Sequence, residues 1–523
     1  MLVFIPTAGL GTRLEISTKY FNKCMIQIGS IPVLSHIIDS YPKNYKFVIA
    51  VGYKSEHIIE YCKIAYPKKK ISFVKIQNFS GPKASLTYTI KKSLHKLNEP
   101  FFFHSNDSII TKEKIYKKNK KDTIYLSKSL PEPLKYRTAS IIGSKVLKIY
   151  DKQDLKSEIF NYIGVAFIKN YKKFKKIIKK EKKNNGEVSY FQHLVNSKIQ
   201  VNFSFVNQWI DIGDVKSKKI AEKIYSELNI MPKTDQGIFI KDNKVIKFFT
   251  NKKTINQRYE RSKILNGLCP KIIKKTKFFY VYKYIKGNVL SNSQNKKKDL
   301  INLLDWSQNN LWKKYELSKD QKIHFNSTCH DFYYEKTLQR VNTFFEENNI
   351  TDTKNIINGY YVSSIESIFK NINWKDISNG IAVGFHGDFH FENILKTKNN
   401  EFRLLDWREN FGLIKNYGDI YYDLAKLKHG FHLSHETMIR NGFNIKIEKD
   451  IINFDYLRKS SLIECDQILD EFIKNKNLSV KKINIIMQLI FLNIAKFYQY
   501  PYSHFLFYKG KLNLYKLAMG IEE

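Results

Sequence analysis

The stretch PTAGLGTRL, Pro6 to Leu14, follows directly on the apolar run Met1 to Ile5. Gly9 and Gly11 let the backbone approach a phosphate and turn its N–H groups toward it, and Arg13 adds a charged fork beside them. The pattern is not a Walker loop, because no Gly-Lys-Ser/Thr follows. Nor is it a dinucleotide fingerprint, because Leu14 stands where the third glycine belongs. Far down the chain, HGDFHFENILKTKNNEFRLLDWREN begins at His386, with Asp388 and Asn393 five residues apart. NILKT and EFRLLDW read as two short strands joined at Asn399-Asn400. Such a hairpin returns Asp406 beside Asn393, so the two can share a divalent metal on phosphate oxygens. Asp388 is left to orient an incoming hydroxyl and accept its proton.

These residues need scaffolds. From Met1 to about Asn229, short apolar runs (MLVFI, KFVIAVG, ISFVKI, PFFFHSND, YIGVAFI) alternate with stretches of helical spacing such as IPVLSHIIDSY and SEHIIEYCKIAY. That alternation predicts an α/β domain over residues 1–229, built on a Rossmann-like, mostly parallel sheet and closed by a helix at Val215–Asn229. A Pro/Gly-containing break at 230–236 reads as a linker. GIFIKDNKVIKFF then predicts a hairpin around Asp242-Asn243, opening a small β-rich lobe over about 237–290. Helical periodicity dominates from about 291 to 523, interrupted near Gly384 to Trp407. A chain of 523 residues exceeds one ordinary core, in keeping with this division.

Lys plus Arg outnumber Asp plus Glu by 89 to 49, a formal net charge of +40. Such an excess attracts polyanions. It also accompanies joint enrichment in Lys, Asn, Ile, Tyr and Phe, all encoded by AT-rich codons, and the lysines are scattered. No RRM, KH or helix-turn-helix pattern is present, so no nucleic-acid partner is expected. Cys24, Cys62, Cys269, Cys329 and Cys465 include no CxxC pair, which predicts neither a zinc knuckle nor a dithiol site and suits a reducing cytoplasm. The apolar run at the N-terminus is too short for a signal peptide. Ile483 to Ala495 contains Asn484, Gln488 and Asn493 and reads as a buried helix, so no membrane insertion is expected.

The opening loop together with NKCMIQIGSIPVLSHII, from Asn22, resembles the sugar-phosphate nucleotidyltransferase family, whose start runs roughly AAGxGTRL, then PKxLxPIxGxPxL, then a helix. The resemblance covers roughly Met1 to Asn229. Asn22 stands for the usual proline and Thr7 for a usual alanine. The resemblance implies that Ala8, Gly9, Gly11 and Thr12 bind the nucleotide and that Arg13 and Lys23 are catalytic. Gly81, in SGPKASL, falls at the close approach to the base. Asp107, ending FFFHSND, and Asp211, in QWIDIGD, become the metal carboxylates, for Mg²⁺ or Mn²⁺. Asp214 departs from a usual threonine. NYIGVAF, Asn161 to Phe167, matches a strand lining the acceptor site.

The His386 stretch resembles the aminoglycoside phosphotransferase and choline kinase superfamily, whose loop reads HGDxxxxN. A bilobal, protein-kinase-like (α+β) domain over 237–523 is then implied, with Asp388 as catalytic base and Asn393 and Asp406 on metal. Lys247 falls on the lysine that steadies ATP phosphates, Glu260 on its ion-pair partner, and YVYKYIKG, containing Tyr282, on the adenine-binding hinge. Asp419, in YGDIYYDLAKL, is expected to brace the catalytic loop, and His386 to be a structural hydrogen-bonder. A Gly-rich lid is missing, with only Gly237 in its place.

Together the resemblances imply a bifunctional enzyme. A small alcohol, sugar or polyol, is phosphorylated with ATP, and the phosphate is coupled to a second NTP (CTP, UTP or GTP) for surface polysaccharide. Choline or ethanolamine, giving a CDP-amino alcohol, is the alternative, and self-association into a homo-oligomer is left open.

Overall fold

A computed structural model describes the chain except residues 15, 112–120, 130–131, 133, 153–158, 226–234 and 522–523. The chain divides into two compact units. One comprises Met1–Ile255 and Ile273–Tyr284, the other Asn256–Ile272 and Ile285–Glu523.

The first unit is built on a nine-stranded sheet. Ile71–Lys75, Lys46–Val51, Leu2–Pro6 and Phe101–His104 lie side by side and parallel, as the strand–helix alternation predicts. Beyond Phe101–His104 the sheet departs from the mostly parallel expectation. Phe160–Ile168 runs antiparallel to Phe101–His104 and to Thr123–Ser127, and Thr138–Ile142 and Lys145–Tyr150 form a hairpin. The connection across Gly143-Ser144 is too short for a parallel crossover, so these two strands must be antiparallel, whereas Asn202–Val206 runs parallel to Thr123–Ser127, and the far half is mixed. Leu2–Pro6 is buried on both faces, with Val3 and Ile5 facing one core and Leu2 and Phe4 the other. A ribbon pairs Ser108–Ile110 antiparallel to Trp209–Asp211. The closing helix spans Val215–Ile224, and the continuation expected to Asn229 lies, from 226, outside the described residues.

The hairpin expected around Asp242-Asn243 is present, with φ of 48° and 59° at the two turn residues, the left-handed pair that a two-residue hairpin requires. Its strands, Gln236–Lys241 and Lys244–Phe249, continue to Phe279–Lys283. This sheet packs within the first unit. Phe239, Ile246, Phe248, Phe278, Phe279 and Val281 join the core that contains Phe21, Ile28 and Tyr61. Thr276 Oγ1 and the Phe278 N–H donate to Glu60 at 2.7 and 3.2 Å, and the Ile240 N–H donates to Ser30 O at 2.7 Å. The boundary expected at 230–236, of which 230–234 lies outside the described residues, is therefore not where the compact units divide. An apolar strand face reads the same whichever neighbour it covers.

The second unit is mainly helical, with long helices at Lys296–Asn310, Lys336–Asn348, Ser460–Asn475, Val480–Ala495 and Tyr502–Met519. Val480–Ala495 is buried along most of its length, and among the described residues no helix is long and apolar enough to cross a membrane. The sequence reading missed a sheet here, formed by Asn355–Ile357, Tyr360–Val362, Phe443–Glu448 and Ile451–Tyr456. Phe443–Glu448 (FNIKIE) alternates apolar and polar residues strictly, with half-buried and exposed positions to match, a period-two signal that the helical reading of residues 291–523 passed over.

Candidate functional site

Leu2–Pro6 delivers the loop of the first site. Thr7 closes the strand end by donating twice to Ala50 O, from N–H and Oγ1, each at 2.8 Å. Gly11 lies at φ 71°, and a Cβ there would meet Lys23 Cβ and Thr18 Cγ2 at 3.1 Å, so this turn requires glycine. Asn22 is fully buried and binds Thr7 O at 2.9 Å and Tyr53 O at 2.8 Å through Nδ2. Its Oδ1 accepts the Cys24 N–H at 3.1 Å. The proline of the family pattern is thus replaced by a side chain that ties the glycine loop to the next strand–helix connection. Lys23, fixed by this clamp, reaches Asp107 Oδ2 at 2.6 Å.

Asp107 and Asp211 meet across the short ribbon. Asp211 pairs with Ser108, and the Ile212 N–H donates to Asp107 O at 2.9 Å. Burial works to raise the Asp107 carboxyl, but Lys23, Ser105 and Arg13 outweigh it and hold the group down at about 2. Asp211 goes the other way, raised by burial and by the Asp107 charge, although Tyr136 Oη donates to it at 3.0 Å and Lys135 lies at 3.4 Å. Two half-buried carboxylates that repel one another are a fitting donor set for a hard divalent cation, which takes oxygen ligands. Among the described residues no third His, Cys, Asp or Glu joins them, so phosphate and water would complete the coordination. Asp214 has a different task. It caps the Val215–Ile224 helix by accepting the Ser217 N–H at 2.8 Å.

A cleft of about 120 Å³ opens beside the two aspartates. Arg13, Lys135, Arg137 and Lys152 line it together with Tyr136, Tyr162 and Trp209. Gly164 at φ 72° passes so close to Ser105 that a Cβ would sit 2.8 Å from the Ser105 Cβ, and the strand register shifts here. Lys135, Tyr136 and Arg137 were not singled out in the sequence, and their only signal was two cations flanking an aromatic in a stretch without a motif. Gly81 lies at φ 76° in an exposed loop, with nothing within 4 Å of where a Cβ would be. Ala8, Gly9 and Thr12 lie in the loop with Gly11, Ala8 buried and Thr12 exposed.

In the second unit, Ile394–Thr397 and Phe402–Leu404 form the hairpin read from the sequence, turning at Asn400 with φ 58°. The Leu405 N–H donates to Asn393 O at 2.7 Å, which brings Asp406 back beside Asn393. Asn393 Nδ2 donates to both Asp388 O and Asp388 Oδ2 at 3.0 Å, leaving Oδ1 as its oxygen donor for a cation. Asp406 adopts φ 57°, a costly conformation for a residue with a Cβ, held by its surroundings at a site of this kind. Arg258 bridges Asp406 Oδ1 at 2.5 Å and Glu409 Oε1 at 2.6 Å. His386 is buried, with Nε2 2.8 Å from Leu405 O and Nδ1 accepting the Asp388 N–H at 3.2 Å, an arrangement that shapes the loop.

The brace of this loop is not the residue expected. Asp423 accepts the His386 N–H at 2.8 Å, the Gly387 N–H at 2.7 Å and Trp312 Nε1 at 3.2 Å. Asp419, one turn earlier, instead accepts the Ile381 N–H and Tyr333 Oη and caps the Ile420–His432 helix. Both aspartates are buried and lie on one helical face, and YGDIYYDLAKL alone does not say which turn of that face meets the loop. The sequence also missed Lys426, whose Nζ lies 2.8 Å from Asp388 Oδ1. Lys247 is buried on the Lys244–Phe249 strand, and Tyr282 on the Phe279–Lys283 strand, both in the first unit. Glu260 lies in the second unit, where Lys263 Nζ is at 2.9 Å.

No protein-family model and no curated protein matches the chain. Among solved structures, the inositol-1-phosphate CTP transferase of T. maritima is similar at 16% identity over 44% of this chain and 98% of its own, with TM-score 0.35. The CTP:phosphocholine cytidylyltransferase of Streptococcus pneumoniae is similar at 19% identity over 43% and 98%, with TM-score 0.35. A UDP-glucose pyrophosphorylase of Acinetobacter baumannii is similar at 14% identity over 43% and 93%, with TM-score 0.37. At these scores the likeness decides nothing about chemistry, and the functional reading rests on the side chains.

Proposed function

We propose that the chain catalyses two successive transfers on one small molecule, phosphorylation of an alcohol followed by nucleotidyl transfer to the resulting phosphate. The observation that carries the reading is the first site's charge pattern. A glycine loop, Lys23 on Asp107, and Asp211 across the ribbon stand beside a cleft walled by four cations. In the nucleotidyl step an oxygen of the phosphate monoester attacks the α-phosphorus of an NTP, a new P–O bond forms, and the bond to pyrophosphate breaks. Loop N–H groups and Arg13 hold the triphosphate, and Lys23 meets charge that grows on the transferring phosphate. Asp107 and Asp211 would hold Mg²⁺, which when bound neutralises phosphate charge. No protein nucleophile is needed.

In the kinase step Asp388 accepts the proton of the alcohol as its oxygen attacks the γ-phosphorus of ATP and ADP leaves. Asn393 and Asp406 would hold the metal there. The acceptor is a sugar or polyol, and the product is a nucleotide-activated building block for surface polysaccharide. One observation favours an amino alcohol instead: Tyr136, Tyr162 and Trp209 share the first cleft, and aromatic faces can hold a quaternary ammonium.

The test is pyrophosphate release with Mg²⁺, offering CTP, UTP, GTP and dTTP against sugar 1-phosphates, polyol phosphates, phosphocholine and phosphoethanolamine. Turnover with a sugar or polyol phosphate supports the reading, and turnover with amino-alcohol phosphates alone transfers it to the alternative. If Asp107→Asn leaves that turnover intact, the first site is misassigned. If Asp388→Asn leaves ATP-dependent use of the free alcohol intact, the kinase assignment fails.

A further inference from the structure

The second unit carries a group of cations beside Asp388 that the kinase chemistry described above does not use. The Lys319–His330 helix runs into a single π-helical turn, Asp331–Glu335, and then into the Lys336–Asn348 helix. Such turns interrupt helices at a cost and gather at functional sites. This one is anchored by Tyr333 Oη, which donates to Asp419 Oδ2 at 2.8 Å. Its Phe332 ring is approached by two cations, Lys336 Nζ at 3.6 Å from the ring centroid and the Arg408 guanidinium at 4.9 Å. Arg408 also donates to Tyr422 Oη at 3.3 Å. Tyr422 is one turn before Lys426, the lysine on Asp388, along the Ile420–His432 helix. Arg340, one turn beyond Lys336, donates to Asn493 Oδ1 at 3.3 Å.

Lys426 has Asp388 as its carboxylate. Lys336, Arg340 and Arg408 form no ion pair among the described residues, and all three are only half-buried. Burial, then Arg408, Arg340 and Lys426, push the Lys336 ammonium well below the usual lysine range. Glu409 feels the Arg408 charge but is paired to Arg258, so these like charges in a partly dry place are under-compensated, and aromatic faces and amide oxygens make up only part of the deficit.

Resting on the kinase reading, we infer that the alcohol phosphorylated at Asp388 is itself an anion, carrying a carboxylate or phosphate that Lys336, Arg340 and Arg408 bind while its hydroxyl faces the base. The hydroxyl oxygen forms the new bond to the γ-phosphorus, the γ-phosphorus–oxygen bond to ADP breaks, and the proton passes to Asp388. An ammonium-bearing alcohol would bring a further positive charge to the same place.

Two measurements on the full chain test this separately from the kinase reading. In the first, acylation of Lys336 by a mild lysine reagent is followed by mass spectrometry with and without malonate, with no ATP present. Malonate is expected to slow labelling of Lys336 about threefold or more, and less in Arg340→Gln, because charge-assisted contacts to a carboxylate shield the amine. Equal rates with and without malonate overturn the anion site whatever the chain phosphorylates. In the second, ADP release is compared for glycerol, glycerate, glycerol 3-phosphate and choline. An anionic alcohol is expected to exceed glycerol and choline in kcat/KM by about tenfold or more, glycerate or glycerol 3-phosphate showing which anion is taken. Arg408→Gln is expected to lose that preference mainly through KM. Preference for glycerol or choline overturns the inference while leaving the kinase standing. Protection by malonate with no ADP release from any alcohol keeps the anion site and removes the kinase reading, and with it the inference that a substrate alcohol is bound there.

Discussion

Glu187 shows what a single misfit group costs. It is 3% exposed, accepts Tyr162 Oη at 3.0 Å through Oε1, and has no partner on Oε2 among the described residues. Burial pushes its carboxyl up to about 7, against the pull of Arg137 and Tyr162. The unfolded carboxyl ionises near 4.3, so the folded state holds the proton more tightly and loses stability as pH rises from about 4.3 through 7. Glu187→Gln mimics the protonated form. Chemical denaturation at pH 8 is expected to show the variant more stable than the parent by on the order of 1–3 kcal/mol, with the difference shrinking at pH 5. A larger difference at pH 5 than at pH 8 would reverse the sign and refute the burial argument. Glu187 belongs to no motif read from the sequence, and only its burial marks it.

Elements decide how loops are held. Ile420–His432 presents Asp423 and Lys426 to the His386–Asn393 loop and Asp419 to its own N-terminus. Asp423→Asn keeps the shape but cannot offer the same acceptors to three donors. It is expected to lower kcat of phosphoryl transfer about tenfold or more with a smaller change in KM, since the loop rather than the substrate contacts is disturbed. The sheet of Gln236–Lys241, Lys244–Phe249 and Phe279–Lys283 is held as firmly. Phe248 is 1% exposed, with its ring centroid 5.0 Å from Phe21 and 4.8 Å from His57. Phe248→Ala is expected to cost the first unit about 3–5 kcal/mol in a denaturant titration, the range for a buried phenylalanine. A loss below ~1 kcal/mol would show that the sheet is dispensable to that core.

At the scale of the whole molecule, the two proposed chemistries have separate reacting groups. Asp107→Asn is expected to reduce pyrophosphate release by roughly a hundredfold or more while ADP release from the alcohol persists, and Asp388→Asn to do the reverse. Loss of both activities in either variant would point to one shared centre. The sequence by itself determined the parts that depend on local chemistry. These are the parallel strands of the first half, the glycine loop with Arg13 and Lys23, the 394–404 hairpin that returns Asp406 to Asn393, and the turn at Asp242-Asn243. Each follows from side-chain period, left-handed turn residues, or spacing within one hairpin, interactions that reach only a few residues along the chain. Tertiary structure decided the rest: the mixed strand directions in the far half of the large sheet, the assignment of the 236–249 strands to the first unit, the choice of Asp423 over Asp419, and the gathering of Lys336, Arg340 and Arg408. Those depend on which apolar faces meet and which charges are left without counter-charges once they do, and pairings between residues distant in sequence leave no periodic trace in the chain.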